Sequence, residues 1–146
     1  MKKNPVYQKA KQFKNKYPKT IAWRLKAHCK VAEQYIDKDE EVLYAFACQK
    51  NTFSYEIFMT YVVVITNKRI VVAQKRLLFG HFFISITPDM YNDLSVRMGI
   101  IWGKICIDTV KEVVQLSNLQ KSAVPEIEGA ITEFMMEEKK KYGLID

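Results

Sequence analysis

Apolar side chains recur every three to four positions near the start of the chain. Val6, Ala10, Phe13 and Tyr17 form one stripe, with Asn4 placed as an N-cap and Pro5 in the first turn, where its missing N–H costs nothing. Pro18 interrupts this pattern and Thr20 offers a second cap. Ile21, Leu25, His28 or Cys29, Ala32 and Tyr35 with Ile36 then continue a period near 3.6. The spacing predicts two short amphipathic helices. Docking of the stripe on a neighbouring surface, with the intervening lysines in solvent, is the plainest account of such a pattern.

From Glu40 the texture changes to β-branched and aromatic runs broken by polar clusters about every ten residues. VLYAFAC at 42–48 fits helix or strand by periodicity alone. YVVVI at 61–65 and IVVA at 70–73 flank Thr66, Asn67, Lys68 and Arg69, which predicts a hairpin with Asn67 in the positive-φ position of a tight turn. In HFFISI, Phe82, Ile84 and Ile86 alternate with Phe83 and Ser85, and Pro88 is expected to end that strand. LSVRMGII, a turn at Trp102-Gly103, then KICID predict another hairpin with Ile105 and Ile107 on one face. VVQLSNL at 113–119 is a last strand.

The remainder reads as a helix. Ser122 is a candidate cap, Pro125 sits in the first turn, and Ile127, Ile131, Phe134 and Met135 share one face. Glu126 and Glu128 lie at the positive end of its dipole, and Lys139, Lys140 and Lys141 lie at the negative end before Gly143. Roughly seven strands and a final amphipathic helix predict a mainly β, α+β fold: a curled antiparallel barrel or sandwich with the helix as a plug.

This order, with ITNKRIVV at 65–72, resembles the bacterial pleckstrin-homology-like (PH-like) domains, whose second and third strands meet in a T-N-x-R hairpin. The likeness runs from about Asp39 to Tyr142 and includes the DEEVLYAF lead-in, the FISI and GKICI strands and the closing helix. It implies a bent seven-stranded antiparallel barrel capped by a C-terminal helix, and a role as a binding module. The domain division expected is therefore a basic N-terminal helical extension over 1–38 and a PH-like domain over 39–146. Phosphoinositide-binding members of the wider superfamily gather basic residues on the first two strands and their loop. Here, between Val42 and Thr66, the only cation is Lys50, faced by Glu56, so a headgroup site of that type is not expected.

Charge sharpens the picture. The 146 residues carry 23 Lys and Arg against 16 Asp and Glu, and ten of those cations fall in residues 1–30 with no acidic residue among them. Attraction to polyanions is thus expected of the N-terminal arm. Two readings follow from it: attachment to an anionic membrane, with Phe13, Tyr17 and Trp23 dipping into the interface, and the weaker one of nucleic-acid contact, for which no base-reading helix or aromatic-basic motif is visible.

Chemistry is scarce. The two histidines, His28 and His81, accompany no GxSxG elbow, and His81 in an apolar strand reads as structural. The three cysteines, Cys29, Cys48 and Cys106, include no CxxC pair and read as free buried thiols. The five glycines make no phosphate loop, and DKDEE at 37–41 lacks the spacing of a calcium loop. No catalytic set, metal or cofactor is expected. The longest stretch without formal charge, Leu77 to Pro88, is twelve residues, against the roughly 18 to 20 that span a bilayer. Lys2 and Lys3 precede further lysines instead of an apolar signal-peptide core, so a cytoplasmic location is expected, peripheral to the membrane if the arm binds lipid. The candidate binding residues are Lys9, Lys14, Lys16 and Arg24 in the arm, Lys68 and Arg69 in the hairpin, whose charges are expected in solvent, and Trp102. An indole at a hairpin tip either contacts a partner or folds back on the barrel. The expected function is a non-catalytic module binding a protein partner or a second copy of itself.

Overall fold

The computed structural model describes residues 5–49, 60–76 and 79–141. Helices α1 (Pro5–Lys16) and α2 (Leu25–Tyr35) precede seven strands: β1 (Val42–Gln49), β2 (Thr60–Thr66), β3 (Ile70–Lys75), β4 (His81–Ile86), β5 (Tyr91–Met98), β6 (Trp102–Thr109) and β7 (Val113–Gln120). Helix α3 (Val124–Lys141) follows. The strands are antiparallel in the order β4-β3-β2-β1-β7-β6-β5. They form a curled half-barrel, as the sequence pattern predicted, with α3 carrying Ile127, Ile131, Phe134 and Met135 into the interior.

VLYAFAC resolves as strand. Both faces of this region are covered, which is why β2 is buried at every residue. Phe46, Val63, Ile65, Ile70 and Val72 point into the barrel with Ile105, Ile107, Leu116 and the α3 residues. Ala45, Val62, Val64, Val71 and Ala73 face outward, where Val6 and Ala10 of α1 and Cys29, Val31 and Ala32 of α2 cover them. A strand buried on both faces loses the alternation of a half-exposed one and reads as a continuous apolar run.

The N-terminal helices therefore pack on the domain. Strands β1 and β7 pair only at Gln49 and Ser117 among the described residues. Phe13 and Tyr17 sit in the main core beside that divergence, with Phe13 5.5 Å from Phe46 and 6.1 Å from Tyr44, ring centre to ring centre. The Lys19 amide donates to Gln120 Oε1 at 2.9 Å, and Lys16 pairs with Glu126 of α3. Helix α1 and the turn that follows it thus link β1, β7 and α3. Neither Phe13 nor Tyr17 is available to a membrane interface.

The Asn4 cap lies outside the described residues, and four other local expectations change. Thr20 does not cap α2: the helix begins four residues later than its hydroxyl would require, Arg24 enters it at φ 55°, and Thr20 Oγ1 is buried without a partner. Ser122 makes no capping bond either; it lies in a short 3-10 turn and accepts from Gln120 Nε2. Asn67 is not at positive φ. The asparagine that is, Asn118 (φ 54°), stands where Ser117 and Asn118 together oppose Lys104, a β-bulge in β7. Finally, the β5–β6 turn is Gly99 to Trp102, closed by the Gly99 amide on the Trp102 carbonyl at 2.9 Å. Trp102 is the half-buried first residue of β6, not the tip. Gly103 serves a close approach, since a Cβ there would run into Val124 Cγ2.

Because Phe13 is buried in the main core against Tyr44 and Phe46 of β1, F13A is expected to destabilise the chain by about 3 to 5 kcal/mol, the usual cost of emptying a buried phenylalanine site. Urea unfolding followed by tryptophan fluorescence measures it. A loss below about 1 kcal/mol would mean that α1 is peripheral to the fold.

Candidate functional site

The β2–β3 hairpin is built as a clamp. Thr66 Oγ1 accepts the amides of Lys68 and Arg69, each at 3.1 Å, and donates to Glu40 Oε2. Asn67 binds residue 41 twice, taking the Glu41 amide on Oδ1 at 2.8 Å and giving its own amide to the Glu41 carbonyl at 3.0 Å. Arg69 grips Glu40 with two nitrogens, at 3.0 and 3.1 Å, donates to Ser85 Oγ of β4 at 3.2 Å and to the Tyr35 carbonyl at the end of α2, and lies 5.9 Å from the Phe83 ring centre. Burial opposes the Glu40 charge, but the bonds from Arg69 and Thr66 outweigh it and hold the carboxyl below its ordinary value. Arg69 is thus turned inward, its side chain 20% exposed, where solvent had been expected to take the charge.

The other candidate residues are dispersed. Lys14 Nζ donates to the carbonyls of Pro18 (2.7 Å) and Thr20 (2.6 Å) and ties off the end of α1. Lys16 is paired with Glu126, whose carboxyl, despite burial, is held low by Lys16 and Tyr44. Lys9 and Lys16 edge a small cleft beside Tyr44. Arg24 stacks 5.3 Å from the Trp23 ring, and exposed Lys68 pairs with Asp39 at 2.9 Å. These residues do not converge.

Three other lysines do. A groove of about 620 Å³ between α1, α2 and the end of β3 is lined by Tyr7, Lys26, Lys30, Val31, Gln34 and Lys75, with no carboxylate in its wall. Lys26, Lys30 and Gln34 recur at i, i+4 and i+8 on one face of α2, and Lys26 Nζ sits 5.9 Å from the Tyr7 ring centre. Among the described residues none of the three ammonium groups is paired with a carboxylate. Lys75 is placed by its backbone: its amide donates to His28 Nδ1 at 2.9 Å, while His28 Nε2 donates to the Trp23 carbonyl at 3.0 Å. The i, i+4 spacing of Lys26 and Lys30 was visible in sequence; the arrival of Lys75 beside them depends on docking α2 against β3.

The reactive groups lie elsewhere. His28 is fully buried with both ring nitrogens used, and burial first, then the Arg24 charge, pushes its pKa down to about 4. Burial drives the Cys29 thiol up to about 12 and the Cys48 thiol upward as well, while Cys106 is half-buried. His81 faces the Tyr35 hydroxyl at the sheet margin. No group of three His, Cys, Asp or Glu side chains suited to a metal ion occurs among the described residues, and no described helix is long and apolar enough to cross a membrane.

A family model described as "Bacterial PH domain" matches residues 36–133. The chain belongs to the bacterial PH domain family. The PH region so matched begins just after α2 and ends within α3, so the clamp and the hairpin tip fall inside it while the groove draws on the preceding helices. Two solved structures are similar to this PH domain. One is a pleckstrin homology domain from Shewanella amazonensis SB2B, with 15% identity, covering 70% of this chain and 80% of that one at a TM-score of 0.48. The other is a DUF1696 family protein with a pleckstrin-homology domain from Shewanella loihica PV-4, with 13% identity, 86% and 92% coverage and a TM-score of 0.50. No curated protein matches the chain. PH domains in general are non-catalytic and mediate protein or lipid interactions. The low cation content of the β1–β2 region remains a property of sequence, because residues 50–59 lie outside those described.

His28 yields a pH prediction. Its folded pKa lies below the unfolded value near 6.5, so the unfolded chain binds more protons between the two. The stability this neutral imidazole contributes is present above pH 6.5 and is lost as pH falls toward 4. Urea midpoints should fall across that window in the wild type and fall less steeply in H28Q. Equal slopes would assign the acid sensitivity to other groups.

Proposed function

We propose that this PH domain is a non-catalytic interaction module, cytoplasmic, that binds a protein partner or a second copy of itself at its β5 margin. The observation that carries this reading is the β5–β6 hairpin. Met98 is 51% exposed, Ile100 95% and Ile101 62%, three large apolar side chains at one turn of the chain. Exposed apolar groups grouped in this way mark contact surfaces more often than isolated ones do. Strand β5 itself is the outermost of the sheet, with most of its residues exposed. A non-catalytic role is supported by the placement of His28, Cys29 and Cys48, which have no route to a substrate.

A second reading, peripheral attachment to an anionic membrane, is favoured by the Lys26, Lys30 and Lys75 groove. It moves the contact from Phe13 and Tyr17, which are committed to the core, to lysines that have no carboxylate partner among the described residues.

Sedimentation velocity and pull-down test the first reading. Wild-type protein is expected to self-associate or retain a partner, and I100D/I101D to weaken that association about tenfold or more while keeping the fold. A strict monomer that retains no partner would sink it. Co-sedimentation with phosphatidylserine vesicles tests the second. At about 1 kcal/mol per lysine near the surface, K26Q/K30Q/K75Q should reduce binding about a hundredfold. Binding indifferent to salt and to that variant would remove the membrane reading.

A further inference from the structure

Strand β5 carries an arrangement of charge that the single chain does not satisfy. In the β5–β6 ladder Asp93 lies directly across from Asp108, Ser95 from Cys106, and Arg97 from Lys104. Like charges placed opposite one another on a sheet are destabilising. The two like-charge pairs have opposite sign and stand four residues apart, about 13 Å along the strand. One face of the margin is therefore acidic at one end and basic at the other, with Ser95 at its midpoint.

The backbone phase fixes what can be added. The Gly99 amide on the Trp102 carbonyl sets the odd-numbered residues of β5 as those bonding to β6. Over the regular part of the ladder, the amides and carbonyls of Leu94, Val96 and Met98 then point to the open side. There Asp93 Oδ1 accepts the Leu94 amide at 2.8 Å. We propose that β5 pairs antiparallel with β5 of a second copy about a two-fold axis at Ser95. This names the partner in the module reading above and rests on it.

In that register Leu94 and Val96 of one copy exchange backbone bonds with Val96 and Leu94 of the other. Asp93 meets Arg97 of the second copy, and the symmetry repeats the contact. Both charge pairs occupy non-hydrogen-bonded positions, where opposed side chains stand closest. Asp93 exchanges the local amide for a guanidinium, and each like-charge pair gains a group of opposite sign. Moving the axis to Leu94 or Val96 keeps the backbone phase but sets Asp93 against Ser95 or Gly99, so the charges select the Ser95 axis.

Charge reversal distinguishes this surface from any other. D93R places an arginine across from Asp108 and R97D an aspartate across from Lys104, so each relieves the repulsion within its own chain while creating two like-charge contacts between copies. Each single variant is expected to raise the thermal midpoint of the monomer, melted at concentrations too dilute for association, and to weaken the dimer about tenfold or more, and D93R/R97D to restore the dimer to within about threefold of wild type. Sedimentation velocity with parallel thermal melts reads both quantities. A wild type that stays monomeric to millimolar concentration overturns the β5 dimer. A dimer unmoved by D93R and R97D but lost in I100D/I101D also overturns it, while leaving the hairpin tip as the module's contact surface.

Discussion

The fold turns on a single buried ion pair. Glu40 is closed off from solvent at the entry to β1, and Arg69 reaches it from the first residue past the β2–β3 turn. An isolated carboxylate so placed would be costly, and the desolvation of a buried pair often offsets its attraction. What favours this one is the number of groups it joins. Thr66 and the Asp37 amide also bond Glu40, while Arg69 holds the end of α2 and Ser85 of β4. The pair fixes the angle between the helical segment, the first strand and the hairpin, which apolar contact alone leaves adjustable. Asn67 adds the register by clasping residue 41. The T-N-x-R pattern is in this light a recipe for joining a hairpin to the acidic lead-in of β1.

The lysine-rich first thirty residues illustrate how composition can mislead about placement. Ten cations without an acid suggest an arm that reaches outward. Yet Val6, Ala10, Phe13 and Tyr17 are a docking face, and the lysines are what remains on the other side of the helices. Several then find local work: Lys14 closes the end of α1 and Lys16 neutralises Glu126. The charge becomes a shell over the outer face of the sheet. Two of the lysines without a carboxylate partner among the described residues, Lys26 and Lys30, lie where α2 meets the end of β3.

Most of the framework was legible because it depends on periodicity. The hairpin of β2 and β3, the alternation in β6 and the apolar face of α3 are local patterns with local causes. The misplaced features have non-local ones. Gly103 looks like a turn residue until α3 is seen packing against its Cα, and this moves the turn to Gly99 and Trp102 into the sheet. Thr20 looks like a cap, but the connection spends four more residues crossing between helices before α2 begins. The basic groove needs Lys75 beside Lys26 and Lys30, a contact created by packing and marked by no motif. Arg69 was visible as part of a motif, whereas its inward direction required its partner Glu40 to be located.

The two candidate surfaces are placed so that neither limits the other. In the strand order, four strands, β2, β1, β7 and β6, lie between β3, which ends at the groove, and β5. The groove is walled by helices that cover the outer face of β2 and β3, whereas α3 reaches β5 at its start, where Lys139 donates to the Tyr91 carbonyl at 3.1 Å. Occupying one therefore removes no group needed by the other. A sheet whose central strands are sealed on both faces leaves its chemistry to its margins, and here one margin offers unpaired cations beside apolar side chains while the other offers backbone groups and self-complementary charge. Their separation allows a pair of copies joined at β5 to carry two basic grooves, so that anything anionic and extended would meet the pair with greater avidity than either copy alone.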